Sequence, residues 1–211
     1  MDISKDIKGA IFDLDGTLLD SLWIWEDIDR RFLAKRGIAV PPDYMKAVSA
    51  MEYRQASEYT IARFGLNETP QSLMDEWTEM AVSAYARELK IKPRVEKYLN
   101  DLHRDGIKLA VATSATPDMC LPALENNGIA GLFDAVVSTF EIGKGKTCPD
   151  VYLVAAARIG LTPDKCAVYE DNLNALKTAK NAGFFTVGVY DKYSAGDEAE
   201  LRATADIFIA F

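Results

Sequence analysis

The chain has 211 residues, of which 49% are hydrophobic and 27% are charged. This composition is that of an ordinary globular protein with one domain, or with one core domain and a small insertion. The formal net charge is −8 and no run of Lys or Arg interrupts it, so we expect neither nucleic acid nor a membrane as a partner.

The first predicted element is a strand over Gly9–Phe12, a continuous apolar run. From about Asp20 to Lys90 the pattern changes, and only amphipathic helices are predicted. A helical block inserted directly after the first strand indicates a cap domain over residues 20–90, with hinges near both of its ends. The predicted cap helices are Trp23–Arg36, Tyr44–Phe64 and Gln71–Leu89.

Beyond residue 90, apolar strands alternate with helices, and a glycine follows each helix. Strands that are apolar throughout are typical of a parallel sheet buried on both faces. We therefore predict an α/β fold, a Rossmann-like parallel sheet with helices on both faces, plus an inserted all-helical cap domain. Residues 1–19 and 91–211 would form the core domain. The predicted strands are Ile107–Ala112, Ala135–Ser138, Cys166–Tyr169, Phe185–Tyr190 and Asp206–Ile209, and the predicted helices are Arg94–Asp105, Asp118–Asn127, Asp150–Ile159 and Leu173–Ala182.

Two carboxylates follow the first strand, in the order Asp13, Leu14, Asp15, Gly16. Side chains two residues apart on an extended backbone point to the same side. Such a pair suits phosphoryl transfer, with one carboxylate as nucleophile and the other as acid and base. Gly16 would let the backbone approach a phosphate closely. For the motif taken alone, an ordinary Asp-Gly turn is the simpler interpretation.

Three further strand ends carry polar residues. Thr113 and Ser114 can hold phosphoryl oxygens, although a helix N-cap is the simpler interpretation of either alone. Lys146 can neutralise a transferring phosphoryl group, or lie in a solvated loop. Glu170 and Asp171 can share a hard cation with the first motif, or cap a helix. Parallel strands bring all of these to one sheet edge, which favours a common site.

The order of these four motifs resembles the haloacid dehalogenase-like hydrolase superfamily, along essentially the whole chain. The similarity is greatest to the branch with a helical cap after the first motif, which includes β-phosphoglucomutase and phosphoglycolate phosphatase. Asp15 argues against a true haloacid dehalogenase, because that branch lacks the second aspartate.

The resemblance implies a role for each motif residue. Asp13 would be the nucleophile and Asp15 the general acid and base. The residues that would bind the phosphoryl group are Thr113, Ser114 and Lys146. Mg²⁺ would be held by the Asp13 carboxylate, the Asp15 carbonyl and Asp171, with Glu170 close by.

The cap departs from the pattern of the mutase. That enzyme is expected to have a histidine where this chain has Trp25, and an arginine after a Val-Ser pair that is here followed by Ala50. We therefore predict a Mg²⁺-dependent phosphatase for a small phosphorylated metabolite, with a sugar phosphate mutase as the alternative. We expect a monomer or weak dimer, with Trp25 and Arg54 contacting substrate, although for Arg54 a solvent-facing charge is the simpler interpretation.

Other classes of protein explain the motifs less well. The segment 143–147 looks like a P-loop, but the glycine that this motif needs at position 140 is Phe140. A phospho-receiver domain shares the acidic cluster, hydroxyl and lysine, yet has no use for a cap or for an acid at Asp15. A binding protein that kept the fold without activity would not need the complete set of motifs.

The cysteines and the N-terminus indicate the compartment. Cys120, Cys148 and Cys166 lie far apart and match no zinc or redox motif, so reduced thiols are the simplest interpretation. Residues 1–8 are mainly polar and include no apolar signal region. We expect a cytoplasmic protein.

Overall fold

A computed structural model describes residues 6–48 and 51–211. The chain divides into two compact units: a core unit, Met1–Leu22 with Leu89–Phe211, and a helical unit, Trp23–Glu88. The predicted bounds of independently folding domains stay a prediction. In the described part of the chain, no helix combines the length and the apolar character needed to cross a membrane.

Strands and α-helices are numbered separately in chain order. The strands are β1 (Gly9–Phe12), β2 (Leu19–Asp20), β3 (Lys90–Ile91), β4 (Lys108–Thr113), β5 (Ala135–Ser138), β6 (Cys166–Glu170), β7 (Phe185–Val189) and β8 (Ile207–Ile209). The helices are α1 (Ile24–Ala34), α2 (Tyr44–Val48), α3 (Tyr53–Phe64), α4 (Pro70–Arg87), α5 (Val95–Arg104), α6 (Pro117–Asn126), α7 (Thr139–Ile142), α8 (Asp150–Arg158), α9 (Leu173–Asn181) and α10 (Glu198–Thr204).

The core unit is built on a six-stranded sheet in the order β5-β4-β1-β6-β7-β8. Every neighbouring pair in it is parallel. At the carboxyl end of β1, Phe12 pairs with Val111 on one side and with Tyr169 on the other. The predicted α/β fold with a parallel sheet is therefore confirmed, and the first strand lies at its centre.

Helices cover both faces of this sheet. Ile11 and Val168 pack with Tyr152 of α8 in one buried cluster. Tyr169, the next residue along β6, points to the opposite face, where its hydroxyl lies 2.8 Å from that of Tyr98 on α5. Strand residues facing either way are thus removed from water, which explains why the strands are apolar without alternation.

A second, two-stranded sheet lies where the sequence predicts only hinges. Leu19 pairs with Ile91 and Asp20 with Lys90 in antiparallel register. The prediction of no strand between Asp20 and Lys90 is therefore wrong at the two ends of that segment. Strands of two residues are too short to show a period of two in the sequence.

The predicted helix Tyr44–Phe64 is also wrong, because it is two helices. Glu52 has an extended backbone, with φ −66° and ψ 154°, and caps α3. Its N–H donates to the side chain of Gln55, while its own side chain accepts the N–H of that residue. This reciprocal capping satisfies two N–H groups that a helix start leaves unpaired, so α3 begins afresh at Tyr53.

The helical unit packs α1 and α3 against the long helix α4. The ring of Phe32 meets that of Trp77 edge-on, with centroids 5.6 Å apart. Arg36 lies over Phe32 and binds both Glu68 and Glu76. Ring contacts between α1 and α4, and ion pairs from the segment just after α1, therefore stabilise the helical unit.

Candidate active site

The carboxyl edge of the parallel sheet brings the sequence motifs together. Asp13 directly follows β1, and its N–H donates to Tyr169 O at 3.0 Å. This bond continues the pairing of β1 with β6, so the end of β6 lies beside Asp13. Glu170 and Asp171 are thereby placed against the first motif, and Lys146 reaches the same point from the loop after α7.

Three buried carboxylates form the centre of the site. One oxygen from each of Asp13, Glu170 and Asp171 lies within 4.8 Å of the other two. Glu170 is completely buried, and Asp13 and Asp171 are nearly so. Three anions at this distance repel one another strongly in a dry environment, so the cluster needs cations.

Lys146 supplies one positive charge. Its ammonium donates to Asp13 Oδ1 and, at 2.5 Å, to Glu170 Oε1. Burial opposes the charge of this lysine, but the carboxylates of Asp13 and Glu170 more than offset that effect and raise its pKa above the ordinary value. Lys146 therefore stays positively charged at any pH at which the protein would work.

One lysine does not balance the three carboxylates. Burial and the charge of Asp13 raise the pKa of Glu170, and the same two causes raise the pKa of Asp171, although Lys146 lowers both. A divalent cation between the carboxylates would supply the missing charge, and oxygen ligands at this spacing suit Mg²⁺. The donor set thus fits the metal that the family resemblance implies.

Asp15 lines the same cavity as Asp13. Ser21 donates to Asp15 Oδ1 at 2.6 Å and so fixes the orientation of the carboxyl group. The turn between Asp15 and Ser21 depends on Gly16, whose φ is +77°. A Cβ atom at this position would lie 2.5 Å from Asp171 Oδ2, so only glycine allows the first motif to lie this close to the fourth.

Of the two predicted hydroxyl residues, Ser114 lines the cavity, whereas Thr113 is not among the lining residues. Thr113 is buried, and its Oγ1 accepts the N–H of Ala115 at 2.9 Å. This bond holds the turn that presents Ser114. The cavity has a volume of about 330 Å³. Its lining comprises Asp13, Asp15, Leu22, Ser114, Lys146, Thr147, Glu170, Asp171, Asn172, Asn174, Ala175 and Ser194.

Two residues of the site were missed from the sequence. Tyr152 of α8 is buried, and its hydroxyl donates to Glu170 Oε1 at 2.7 Å. Ser194 donates to Asp171 Oδ2 at 2.7 Å. In the sequence, Tyr152 occupies an apolar position of a helix and Ser194 lies in an ordinary loop. No local pattern therefore marks either residue as part of the site.

The predicted substrate residues of the cap belong to the helical unit. Trp25 is 42% exposed and meets the ring of Tyr53 edge-on, with centroids 6.5 Å apart. Arg54 is exposed and pairs with Glu58 at 3.1 Å, one turn along α3. Their roles toward a substrate stay predictions. Ser49 and Ala50, used in the comparison with the mutase, lie outside the described residues.

A parallel sheet with carboxylates and a lysine gathered at its carboxyl edge is an arrangement that suits an α/β enzyme of the phosphoryl-transfer type. The model of the haloacid dehalogenase-like hydrolase family matches residues 10–189, which include every motif described above. The chain belongs to that family. The resemblance inferred from the four motifs is therefore confirmed.

Relatives with assigned names span nearly the whole chain. Beta-phosphoglucomutase of Bacillus subtilis (strain 168) is 30% identical over 95% of this chain and 92% of its own length. Fructose-1-phosphate phosphatase of Escherichia coli (strain K12) is 28% identical over 86% and 95%. The phosphorylated carbohydrates phosphatase of Thermotoga maritima is 25% identical over 84% and 82%.

Solved structures share the fold. Beta-phosphoglucomutase from Clostridium difficile superposes with a TM-score of 0.69 at 22% identity, covering 96% of this chain and 90% of the other. CbbY from Rhodobacter sphaeroides in complex with phosphate gives a TM-score of 0.75 at 23% identity, covering 96% and 93%. At these identities the likeness supports the fold alone.

Proposed function

We propose that the chain is a Mg²⁺-dependent phosphatase that hydrolyses a small phosphorylated metabolite through a phosphoryl intermediate on Asp13. The observation that carries this proposal is the buried Asp13 carboxylate, paired with Lys146 and gathered with Glu170 and Asp171 within 4.8 Å. Family membership and the phosphatases named among the relatives support the class of phosphoric monoester hydrolase.

Asp13 would act as the nucleophile. One of its carboxylate oxygens attacks phosphorus, the bond from phosphorus to the ester oxygen breaks, and an acyl phosphate forms on Asp13. Lys146 donates to Oδ1 of this carboxylate and offers positive charge to the incoming phosphoryl oxygens. Ser114, in the cavity wall, would bind another of those oxygens.

Asp15 would move the protons. It gives one to the departing alkoxide, and then accepts one from the water that attacks phosphorus and releases Asp13. The hydrogen bond from Ser21 to its Oδ1 at 2.6 Å would hold this carboxyl group in place for both proton transfers. One carboxyl group thus serves both half-reactions in turn.

Asp13 and Asp171 are the carboxylates that would hold Mg²⁺, together with the Asp15 carbonyl oxygen and with Glu170 nearby. The bound ion would supply Lewis-acid stabilisation of the phosphoryl oxygens. The hydrogen bond from Ser194 orients Asp171, and those from Lys146 and Tyr152 orient Glu170.

A sugar phosphate is the substrate class that we propose, because the relatives include phosphatases named for fructose 1-phosphate and for phosphorylated carbohydrates. We further propose a cytoplasmic location, which suits the free thiols of Cys120, Cys148 and Cys166. We also propose that the protein is a monomer or weak dimer and binds no nucleic acid. Size-exclusion chromatography at several protein concentrations measures the oligomeric state.

The test is phosphate release from a panel of sugar, nucleotide and short-acid monophosphates, with and without Mg²⁺. We expect turnover by the wild type with Mg²⁺ and none after chelation. Asp13→Asn removes the nucleophile at constant volume, so we expect its turnover to fall by roughly 1,000-fold or more with the fold intact. Circular dichroism checks the fold.

Asp164→Asn provides the matched control. Asp164 is an exposed aspartate just before β6, at the edge of the sheet opposite the site, and we expect wild-type turnover from this variant. Asp15→Asn, given a phosphate ester whose leaving group needs no proton, should accumulate the acyl phosphate, detected by mass spectrometry of the peptide that contains Asp13. Wild-type activity of Asp13→Asn would refute the mechanism.

A further inference from the structure

Lys92 is a buried lysine next to the active-site loop, and the proposed mechanism gives it no role. It follows β3, and only 9% of its side chain is exposed. A buried ammonium is costly unless its donors find acceptors. Here they find three: Gly16 O, Tyr190 O at 2.9 Å and Asp191 Oδ2 at 2.8 Å.

These acceptors belong to two separate segments of the core unit. Gly16 is in the turn that carries Asp13 and Asp15, and the backbone N–H of Lys92 also donates to Leu18 O in that turn at 2.8 Å. Tyr190 and Asp191 begin the segment that follows β7. A single lysine therefore joins the loop after β1 to the loop after β7.

Asp191 shapes the second segment. Its Oδ1 accepts the N–H of Tyr193 at 2.8 Å, and its carbonyl accepts the N–H of Ser194 at 3.2 Å. Asp191 is even more buried than Lys92, with 4% of its side chain exposed. The ion pair and these turn bonds fix the place of Ser194.

Both segments end against the same oxygen atom. A Cβ atom on Gly16 would lie 2.5 Å from Asp171 Oδ2, and Ser194 Oγ donates to that oxygen at 2.7 Å. The cavity lining, as far as the chain is described, includes Ser194 but neither Lys92 nor Asp191. The pair therefore acts on the site only through the residues that it holds.

We propose that Lys92 and Asp191 are positioning residues, which clamp the Asp15–Gly16 turn and Ser194 around Asp171 and so set the affinity of the site for its divalent cation. This inference rests on the proposed function. Partners one shell away from a metal ligand typically change metal affinity by 10-fold to 100-fold. The clamp acts on the metal ligand Asp171 through Ser194 and through the Asp15–Gly16 turn, so we expect an effect of that size.

The test removes both charges together, in Lys92→Met/Asp191→Asn. Losing one member alone would leave an uncompensated buried charge and endanger the fold, whereas the double variant leaves none. Binding of Mn²⁺, followed by electron paramagnetic resonance of the free ion, measures the site without any turnover. We expect roughly 10-fold weaker Mn²⁺ binding or more, a fall in kcat of similar size, and a substrate KM within about threefold of wild type.

The matched control is Lys180→Met/Asp206→Asn. Lys180 likewise donates to a backbone carbonyl, Thr204 O at 2.6 Å, and pairs with an aspartate at 2.9 Å. This pair lies at the far end of α9, away from the carboxyl edge of the sheet. We expect wild-type Mn²⁺ affinity and kcat from the control.

The outcomes separate the two proposals. Wild-type protein that binds Mn²⁺ but hydrolyses no ester of the panel would refute the proposed function while leaving the clamp testable by metal affinity. A double variant with wild-type Mn²⁺ affinity and kcat, whatever its melting temperature, would overturn the clamp. If the double variant does not fold, Ser194→Ala removes only the last link, and unchanged Mn²⁺ affinity in that variant would overturn the clamp as well.

Discussion

The loop after α7 contains two lysines, Lys144 and Lys146, which occupy very different surroundings. Lys144 is largely exposed and pairs with Asp150 at 2.7 Å. Lys146 lies between Asp13 and Glu170, with only 12% of its side chain exposed. Position in the sequence does not separate them, whereas the largely dry environment favours Lys146 as the lysine that would act on a phosphoryl group.

We expect Lys146→Ala to lower kcat by roughly 100-fold or more, because phosphoryl charge would go uncompensated in a largely dry site. Lys144→Ala should keep kcat within about twofold, since an exposed ion pair contributes little. Steady-state kinetics of the two variants, with circular dichroism as a check of the fold, measures the ranking. A larger loss of kcat in Lys144→Ala than in Lys146→Ala would show that we assigned the phosphoryl contact to the wrong lysine.

The strand ends explain which site residues the sequence could predict. Asp13, Glu170 and Asp171 each follow an apolar run, and the parallel arrangement of those runs places them at one edge. Tyr152, Ser194 and the Lys92 clamp have no such local pattern. Their positions depend on how α8 packs and on how the loops after β3 and β7 return to the site, which are contacts between residues far apart in the chain.

At the scale of an element, helix α5 has left-handed residues at both ends. Arg94, its N-cap, has φ +68°, the only positive φ of a non-glycine residue in the described chain. Gly106, just past its C-terminus, has φ +77°, and a Cβ atom there would meet nothing within 4 Å. Side chains disfavour this backbone by about 1 kcal/mol.

Substitutions at these two ends should therefore act in opposite directions. We expect Arg94→Gly to raise the free energy of unfolding by about 0.5–1 kcal/mol, after the loss of an exposed hydrogen bond to Ala210 O. Gly106→Ala should lower it by about 1 kcal/mol. Urea unfolding followed by far-ultraviolet circular dichroism measures both, and a destabilised Arg94→Gly would contradict the argument from backbone strain.

Helix α1 carries a carboxylate that titrates unusually. Burial raises the pKa of Asp29 from 3.8 to about 6, against a weaker lowering by the hydroxyl of Tyr44. Because the folded state binds this proton more tightly, Asp29 stabilises the fold at pH 4 and loses that contribution as the pH rises through 6. No cation pairs with it among the described residues, so its charge above pH 6 is a cost.

We expect Asp29→Asn to match wild type near pH 4 and to be more stable by about 1–3 kcal/mol at pH 7. Trp23, Trp25 and Trp77 are all the tryptophans of the chain and all lie in the helical unit. Tryptophan fluorescence during urea unfolding therefore reports on that unit. Asp75→Asn, at an exposed position of α4, is the control, and a stability difference independent of pH would contradict the prediction.

The elements themselves were predictable in proportion to their length and pattern. The strands of the parallel sheet are continuous apolar runs, and α5, α6, α8 and α9 end at glycine, so both kinds were found. The break between α2 and α3 was not, because the Glu52 capping box lies inside a stretch with helical periodicity throughout. Helices α7 and α10 were missed because four and seven residues barely cover one or two turns.

For the whole molecule, charge and fold act at different scales. The net charge of −8 opposes an anionic substrate at long range, but ionic strength screens that field within about 8–10 Å. Inside the cavity, Lys146 and the proposed divalent cation would decide the sign of the local potential. A predicted parallel sheet is enough to place such a site at the carboxyl ends of the strands. The order of the strands cannot be predicted in the same way, because it depends on pairings between segments far apart in the chain.

The remaining question at this scale is whether the phosphoryl group goes to water or to a second hydroxyl. A mutase must shield the acyl phosphate of Asp13 until a sugar hydroxyl accepts it, which requires polar groups on the cap. Trp25 occupies the position where a mutase is expected to have a histidine. Its indole can donate one hydrogen bond but cannot transfer a proton at neutral pH. The 30% identity to the Bacillus subtilis mutase instead favours transfer to a second hydroxyl, so an experiment must distinguish phosphatase from mutase activity.

We expect net release of inorganic phosphate from β-glucose 1-phosphate or from a better substrate of the panel, with little isomerised product. The physical reason is that an apolar indole can limit access of water but cannot orient the second phosphate of a sugar bisphosphate. The measurement supplies β-glucose 1-phosphate with Mg²⁺ and follows inorganic phosphate and glucose 6-phosphate in the same sample, with Asp13→Asn as the blank for both. Glucose 6-phosphate formed faster than inorganic phosphate would identify a mutase instead, and would show that residues other than the one at position 25 hold the intermediate.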